Sequence, residues 1–271
     1  MRQFWHLSGI AAAMLVAASA AAQTSDLVPR TELRVCADPN NLPFSNEKGE
    51  GFENKIAALI GQDLNLPVSN VWFPQVIGFV RNTLGAHRCD LVLGAVAGDE
   101  LVETTNPYYY TTYVMAYRAD RNLNLTAIDH DTMQTFTIGV VAGTPPSDLL
   151  IRHGLMGRVH AYPLMVDTRY DAPMHDMLQD VAHGKIDVAL IWGPPAGYYV
   201  HQEKLPLILV PLQNEPGAPR MDYHIAMGVR HNEPEWRRKI NAAILREHDG
   251  IAEVLKSYGV PLLDEQGKLM K

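Results

Sequence analysis

Residues Leu33–Phe52 read LRVCADPNNLPFSNEKGEGF. Leu33–Ala37 is an apolar run of strand length. It breaks into Asp38-Pro39-Asn40-Asn41-Leu42-Pro43, residues that punctuate regular structure, and then presents Phe44 and Ser45. A polar stretch runs to Gly51, and Phe52-Glu53-Asn54 leads into a helix, because Ile56, Leu59, Ile60 and Leu64 recur on one helical face. Strand, open loop and helix form the first unit of a parallel sheet. In such sheets ligands meet the loops at the carboxyl ends of the strands. On that rule Phe44 and Ser45 stand at one wall of a cleft. The alternative is a solvated loop with Phe44 plugged into the core.

Downstream, Val68–Phe73 reads as a strand and Phe79–Leu84 as a short helix. Cys89–Ala95 is nearly continuously apolar, the pattern of a strand buried on both faces. Gly94–Gly98 is small, so backbone can approach a ligand there. Tyr113–Tyr117 reads as a strand, after which the series restarts. Phe136–Val141 is a strand, Ala142-Gly143-Thr144 a turn, and Pro145-Pro146 opens a helix, where a missing N–H costs nothing. Met174–Val181 is helical, and Ile186–Ile191 is a buried strand ending at Trp192. Tyr223–Val229 is a strand, followed by closing helices over Glu235–Leu245 and Gly250–Tyr258. The order strand, helix, strand, helix, strand occurs twice. The expected fold is therefore α/β, with two lobes joined by two crossover strands, Tyr113–Tyr117 and Tyr223–Val229. Lobe 1 takes residues 32–116 with 224–271, and lobe 2 takes residues 117–223. Ligand sites favour the cleft between such lobes.

Residues 1–22 stand apart. Arg2 precedes a small, apolar stretch over Ser8–Ser19, and Ala20-Ala21-Ala22 fits a small-residue cleavage site. This is the pattern of a secretory signal peptide, too short for a membrane anchor. It places the mature chain in a bacterial periplasm. The formal charge of the chain is −7, and loss of Arg2 makes it more acidic. Such a balance argues against nucleic acid and anionic lipid as partners. The two cysteines, Cys36 and Cys89, form a candidate disulfide in an oxidising compartment; two buried thiols are the other reading.

The order of marks resembles the type II periplasmic substrate-binding proteins. Arg88-Cys89-Asp90 is similar to their G-x-x-D before the third strand. Asn106-Pro107-Tyr108-Tyr109 resembles their D/N-P-Y-Y. Ile138–Thr144 and Gly184–Ala189 resemble two strands of the second lobe. A narrower resemblance runs through RVCADPNNLPFSN, GFENKIA, GFVRNTL, CDLVLG and TTNPYYYTTYV. These stretches are similar to the J-type periplasmic proteins (MxaJ and XoxJ) that accompany quinoprotein methanol and alcohol dehydrogenases. The chain departs from that pattern at Tyr110, where an Arg commonly follows the Tyr pair. The resemblance implies a non-catalytic accessory protein, monomeric when free. Its implied partner is a dehydrogenase that carries pyrroloquinoline quinone, and the chain itself needs no cofactor. The alternative is a solute receptor of an ABC transporter for a small apolar or aromatic ligand. An enzyme on this fold is a third reading.

Amino-acid-binding members of the fold hold the ligand carboxylate with an Arg after the third strand and the ammonium with an Asp in the second lobe. Here Leu93–Glu103 contains no Arg or Lys, and carries Asp99, Glu100 and Glu103. Trp192 stands at the second position. A cleft without the charged pair cannot repay the desolvation of a zwitterion. The candidate cleft and partner-binding residues are Phe44, Ser45, Phe79, Tyr108, Gly143, Thr144 and Trp192. Trp192 can equally pack on Pro194 and Pro195 as a rigid loop. No metal-ligand spacing, G-x-S-x-G or phosphate loop occurs. His130-Asp131 and His175-Asp176 read as surface pairs, and the acidic run 99–103 as a solvated loop rather than a general acid–base site. No catalytic residue or metal ligand is expected.

Overall fold

The computed structural model describes residues 29–270. The signal-peptide segment lies outside the described residues. The chain opens with β1 (Leu33–Ala37), a small hairpin of β2 (Asn40–Asn41) and β3 (Ser45–Asn46), α1 (Phe52–Asp63), β4 (Val68–Trp72), α2 (Phe79–Asn82), β5 (Leu91–Val96) and β6 (Glu103–Thr104). A long strand follows, β7 (Tyr109–Arg118), then α3 (His130–Met133), β8 (Ile138–Val141), α4 (Pro145–Arg152), β9 (Val159–Tyr162), α5 (Pro173–Ala182), β10 (Val188–Trp192) and α6 (Gly193–Gln202). The chain closes with β11 (Leu207–Pro211), β12 (Asp222–Val229), α7 (Pro234–Arg246) and α8 (His248–Ser257).

The strands run in the order β4-β1-β5-β12-β7-β10-β8-β9, with β11 added to β7 and β6 to β12. β4, β1 and β5 pair in parallel, as do β10, β8 and β9, while β12 and β7 run antiparallel to their neighbours. The inner parallel strands are apolar runs because both their faces are covered, whereas the edge strands β4 and β9 are more polar and more exposed. Val188–Ile191 and Ile138–Val141 are wholly buried. Two cores result. One gathers Leu33, Phe52, Ile56 and Leu91 with Trp236, Ile240 and Leu255 from the closing helices. The other gathers Met115, Ile138, Leu149 and Leu190. The closing helices therefore belong to the core of β1 and β5, although they come last in the chain.

The expected crossover at Tyr113–Tyr117 is corrected by the pairing. β7 and β12 run side by side through Tyr109–Thr112 and Asp222–Ile225. Tyr113–Tyr117 already pairs with β10 on one edge and β11 on the other. The apolar run begins at Tyr113 because that segment is enclosed by strands on both sides, whereas Tyr109–Thr112 is the true bridge. β5 likewise begins at Leu91 rather than Cys89. The Asp90 N–H still donates to the Arg34 carbonyl of β1 at 2.7 Å, but its carbonyl accepts from the Trp236 indole at 3.0 Å, and its side chain meets Arg34 Nε at 2.7 Å, Arg34 Nη2 at 2.8 Å and Arg230 Nη2 at 2.7 Å. Cys36 and Cys89 are joined in a disulfide, with Cα atoms 5.4 Å apart.

Candidate functional site

The first wall of the site is the loop quoted at the outset, and its shape is set by small contacts. The Leu42–Pro43 peptide is cis. Gly51 is required under this loop, since a Cβ there would lie 2.1 Å from the Phe44 carbonyl oxygen. Phe52 and Glu53 donate their backbone N–H groups to the carbonyls of Pro43 and Phe44 at 2.8 and 2.9 Å. The loop thereby caps the start of α1. Asn54 reaches back and accepts from the N–H groups of Gly51 and Asn46, both at 3.1 Å. Phe44 is held edge-on to Phe52, with ring centroids 5.3 Å apart.

Between the lobes lies a cavity of about 310 Å³, at the small end for ligand pockets. Its aromatic lining is Phe44, Tyr109, Tyr113, Trp192 and Tyr223. Tyr113, Trp192 and Tyr223 form one cluster, with centroids 4.9, 6.2 and 5.7 Å apart. Strand register explains this, because Trp192 pairs with Tyr113 across β10 and β7. Among the described residues no Arg, Lys or His lines the cavity. Its one carboxyl group is Glu53, in the first turn of α1. That carboxyl lies over Gly94 of β5, where an added Cβ would come within 2.7 Å of Oε1. Among the described residues it has no hydrogen-bond or ion-pair partner. A helix N-terminus favours a carboxylate, but here burial outweighs it. Burial, with the negative charge of Asp38 adding to it, pushes the Glu53 carboxyl from 4.5 up to about 8. Burial also raises the hydroxyls of Tyr109 and Tyr113.

The two lobes are latched across the mouth. Thr168 Oγ1 lies 2.8 Å from each carboxylate oxygen of Asp38. Asn40 Nδ2 donates to the Thr168 carbonyl at 2.9 Å, and the Tyr199 hydroxyl donates to the Leu42 carbonyl at 3.1 Å. Asp38 is held in place by Gln75 N–H at 2.6 Å and by Ser45, whose Oγ accepts from Asp38 N–H and donates to its carbonyl.

Of the residues named from sequence, Phe44, Thr144 and Trp192 meet at this cavity. Four do not line it. Ser45 faces Asp38 and shapes the latch. Phe79 is buried against the disulfide with Leu84 and Val92. Tyr108, just before β7, is buried with its hydroxyl donating to the Leu93 carbonyl at 2.9 Å, and its neighbour Tyr109 takes the lining position. Gly143 supplies the positive φ of 74° that turns the chain into Thr144. Glu53, Tyr113 and Tyr223 were not singled out. The available signal for Glu53 was an acid in the first helical turn directly after a cleft loop. The acidic run 99–103 faces away, Glu103 meeting Arg237 and His231. Among the described residues no group of three or more His, Cys, Asp or Glu is placed to hold a metal, and no helix is long and apolar enough to cross a membrane.

Two α/β lobes with a shared strand pair and a lined cavity between them define a periplasmic-binding-protein fold. The chain belongs to the bacterial extracellular solute-binding proteins, family 3, matched over residues 33–259. It is 30% identical over 282 residues to Protein MoxJ of Paracoccus denitrificans, covering 96% of this chain and 98% of that one. It is similar in structure to the periplasmic binding protein XoxJ from Methylobacterium extorquens AM1, with 40% identity and a TM-score of 0.74 over 86% of this chain and 100% of that one. MxaJ from Methlophaga aminisulfidivorans MPT matches at 28% identity and a TM-score of 0.74, over 85% and 100%. These establish a periplasmic binding protein of the MxaJ/XoxJ type.

Proposed function

We propose that the protein is a non-catalytic periplasmic accessory factor that binds a methanol or alcohol dehydrogenase carrying pyrroloquinoline quinone and assists or activates it. The similarity to MoxJ, XoxJ and MxaJ along nearly the whole chain supports this reading, as does the export-type leader. The observation that carries it is the rim of the cleft. Ile77 is 78% exposed just after Gln75, and Tyr170 is 80% exposed just after Thr168. Leu164 and Met165 are exposed on that second loop as well. Apolar side chains presented on both loops beside the mouth are surface that a protein partner would cover. An acidic chain would be steered to a basic patch of its partner, so binding weakens with salt.

The test is titration of the mature protein into the cognate dehydrogenase, apo and loaded, at two salt concentrations. Binding or a change in turnover is expected, reduced in Ile77→Ser/Tyr170→Ser. Absence of both with a folded protein refutes the reading. The second reading, a receptor for a small apolar or aromatic solute, is favoured by the five-ring lining of the cavity.

A further inference from the structure

The cavity carries an electrostatic signature that the partner reading does not use. Among the described residues its lining holds five aromatic side chains, one carboxyl group and no basic residue. In this fold the starts of helices point into the cleft, and helix starts hold anions through free N–H groups. Here three such starts are disarmed. Thr144, beside the cavity, precedes α4, whose first two residues are Pro145 and Pro146. Trp192 precedes α6, whose second and third residues are Pro194 and Pro195. Proline has no N–H to offer. At α1 the N–H groups of Phe52 and Glu53 are already taken by the loop carbonyls of Pro43 and Phe44. An anion would therefore find almost no donor, while a cation finds one carboxyl and several ring faces.

We infer that the interlobe cavity binds a small organic cation, an ammonium group carrying one ring or a short alkyl chain, with Glu53 as its counter-charge and Phe44, Tyr109, Tyr113, Trp192 and Tyr223 as its aromatic box. A desolvated ammonium against Trp and Tyr faces is attracted by the ring quadrupoles. The volume of about 310 Å³ suits a ligand of this size. Hydrogen bonds from Thr168 and Tyr199 to the Asp38–Leu42 segment draw the two lobes together beside the space. Gly94 supplies the clearance that keeps the carboxyl in place.

Three groups with titratable side chains act on the Glu53 charge: Asp38 at the end of β1, and Tyr108 and Tyr109 on and before β7. All are acids, so none neutralises a carboxylate. A bound cation would hold Glu53 ionised, and binding would release a proton below pH 8.

Calorimetry on the purified protein alone, without any dehydrogenase, tests this separately from the partner reading. The probes are benzylamine, benzyltrimethylammonium, benzyl alcohol and benzoate. Both cations should bind, and benzoate should not. Affinity for benzyltrimethylammonium, whose charge is fixed, should rise about tenfold per pH unit below pH 8 and level off above it. Glu53→Gln should weaken both cations by about 30-fold or more and abolish the pH dependence. Trp192→Leu should weaken them by several fold while keeping it. Circular dichroism establishes that each variant is folded. Equal or tighter binding of benzyl alcohol or benzoate, an unchanged Glu53→Gln, or no heat with either cation overturns the inference.

Discussion

Two acids in the same lobe, Asp90 and Glu53, have opposite surroundings. The Asp90 side chain is 2% exposed and meets Arg30, Arg34 and Arg230. Glu233 shares Arg30 and Arg230 with it, and the indole N–H of Trp236 donates to the Asp90 carbonyl at 3.0 Å. Burial by itself would raise the Asp90 pKa, but hydrogen bonds from Arg34 and Arg230 and the nearby positive charges outweigh it, so the pKa lies below the usual carboxylate range. Glu53 is half-buried against the cavity without any cation beside it among the described residues, and its pKa rises to about 8. A charge fully partnered by its own chain is part of the scaffold. A carboxyl left unpartnered in a lined cavity is available to something that is not part of the chain.

The largest break in this comparison is Asp90→Ala. It would leave the guanidinium groups of Arg30, Arg34 and Arg230 short of a buried counter-charge, and we expect a loss of about 3–5 kcal/mol in urea unfolding. The pH signature follows from the sign of the shift. A folded pKa below the unfolded value gives stability that is present above the ordinary carboxylate range and is lost as pH falls through the lower folded value. The wild-type minus variant difference should therefore shrink only in acid. No dependence of that difference on acid pH would mean that the cluster is not ionised as drawn.

The next effect lies beside the first. Cys89 adjoins Asp90, its carbonyl accepts from Arg230, and its disulfide to Cys36 spans a sequence separation of 53. Reduction, or Cys36→Ser with Cys89→Ser, should cost about 2–4 kcal/mol. Titration of the unfolded, non-reduced protein should find no free thiol. Two thiols would remove the bridge from the account.

Glu53→Gln should act with the opposite sign. The folded pKa is raised from 4.5 to about 8, so the folded state binds the extra proton across that window. The wild type should lose stability as pH rises from about 4.5 through 8, by on the order of 2–3 kcal/mol after allowing for water in the cavity. The amide variant lacks this fall and should overtake the wild type above neutral pH. Parallel stability profiles between pH 5 and 8.5 would show that Glu53 is not held as a buried acid.

This pair of acids also marks how far the chain could be read unaided. Asp90 was visible as part of a motif, but its cations come from positions 30, 34 and 230, which only folding brings together. Glu53 reads from sequence only as part of the lead into a helix, because Ile56, Leu59, Ile60 and Leu64 recur on one helical face. Its isolation depends on the Phe44 loop and on Gly94, which local pattern does not connect. The two-lobe architecture was legible because its strands are apolar runs of the right length in a repeated order. Tyr108 and Phe79 were placed at the cleft because apolarity reports burial without saying in which space. Tyr113 was placed in a hinge, although Tyr109–Thr112 bridges the lobes.

The smallest effect tests whether the two regions communicate. Among the described residues Thr168 is the one second-lobe side chain that hydrogen-bonds Asp38, and Asp38 is the charge that adds to the burial of Glu53. Thr168→Val keeps the shape and removes the hydroxyl. A hydrogen bond to an ionised group is worth about 1.5–3 kcal/mol in a buried setting, and at this partly solvated mouth we expect about 1 kcal/mol. That shifts the closed-to-open ratio by roughly fivefold. Amide exchange in the loops around Asn40 and Thr168 should speed up, while the cores around Ile56 and Leu149 stay unchanged. If the cavity binds a cation, opening the mouth should weaken it by a similar factor, because water then reaches Glu53 and both the ion pair and the ring contacts lose their low-dielectric setting. Unaltered exchange at the mouth together with weaker cation binding would place the effect on Glu53 itself, through Asp38. Faster exchange with unaltered binding would mean that the latch and the cavity are separate devices.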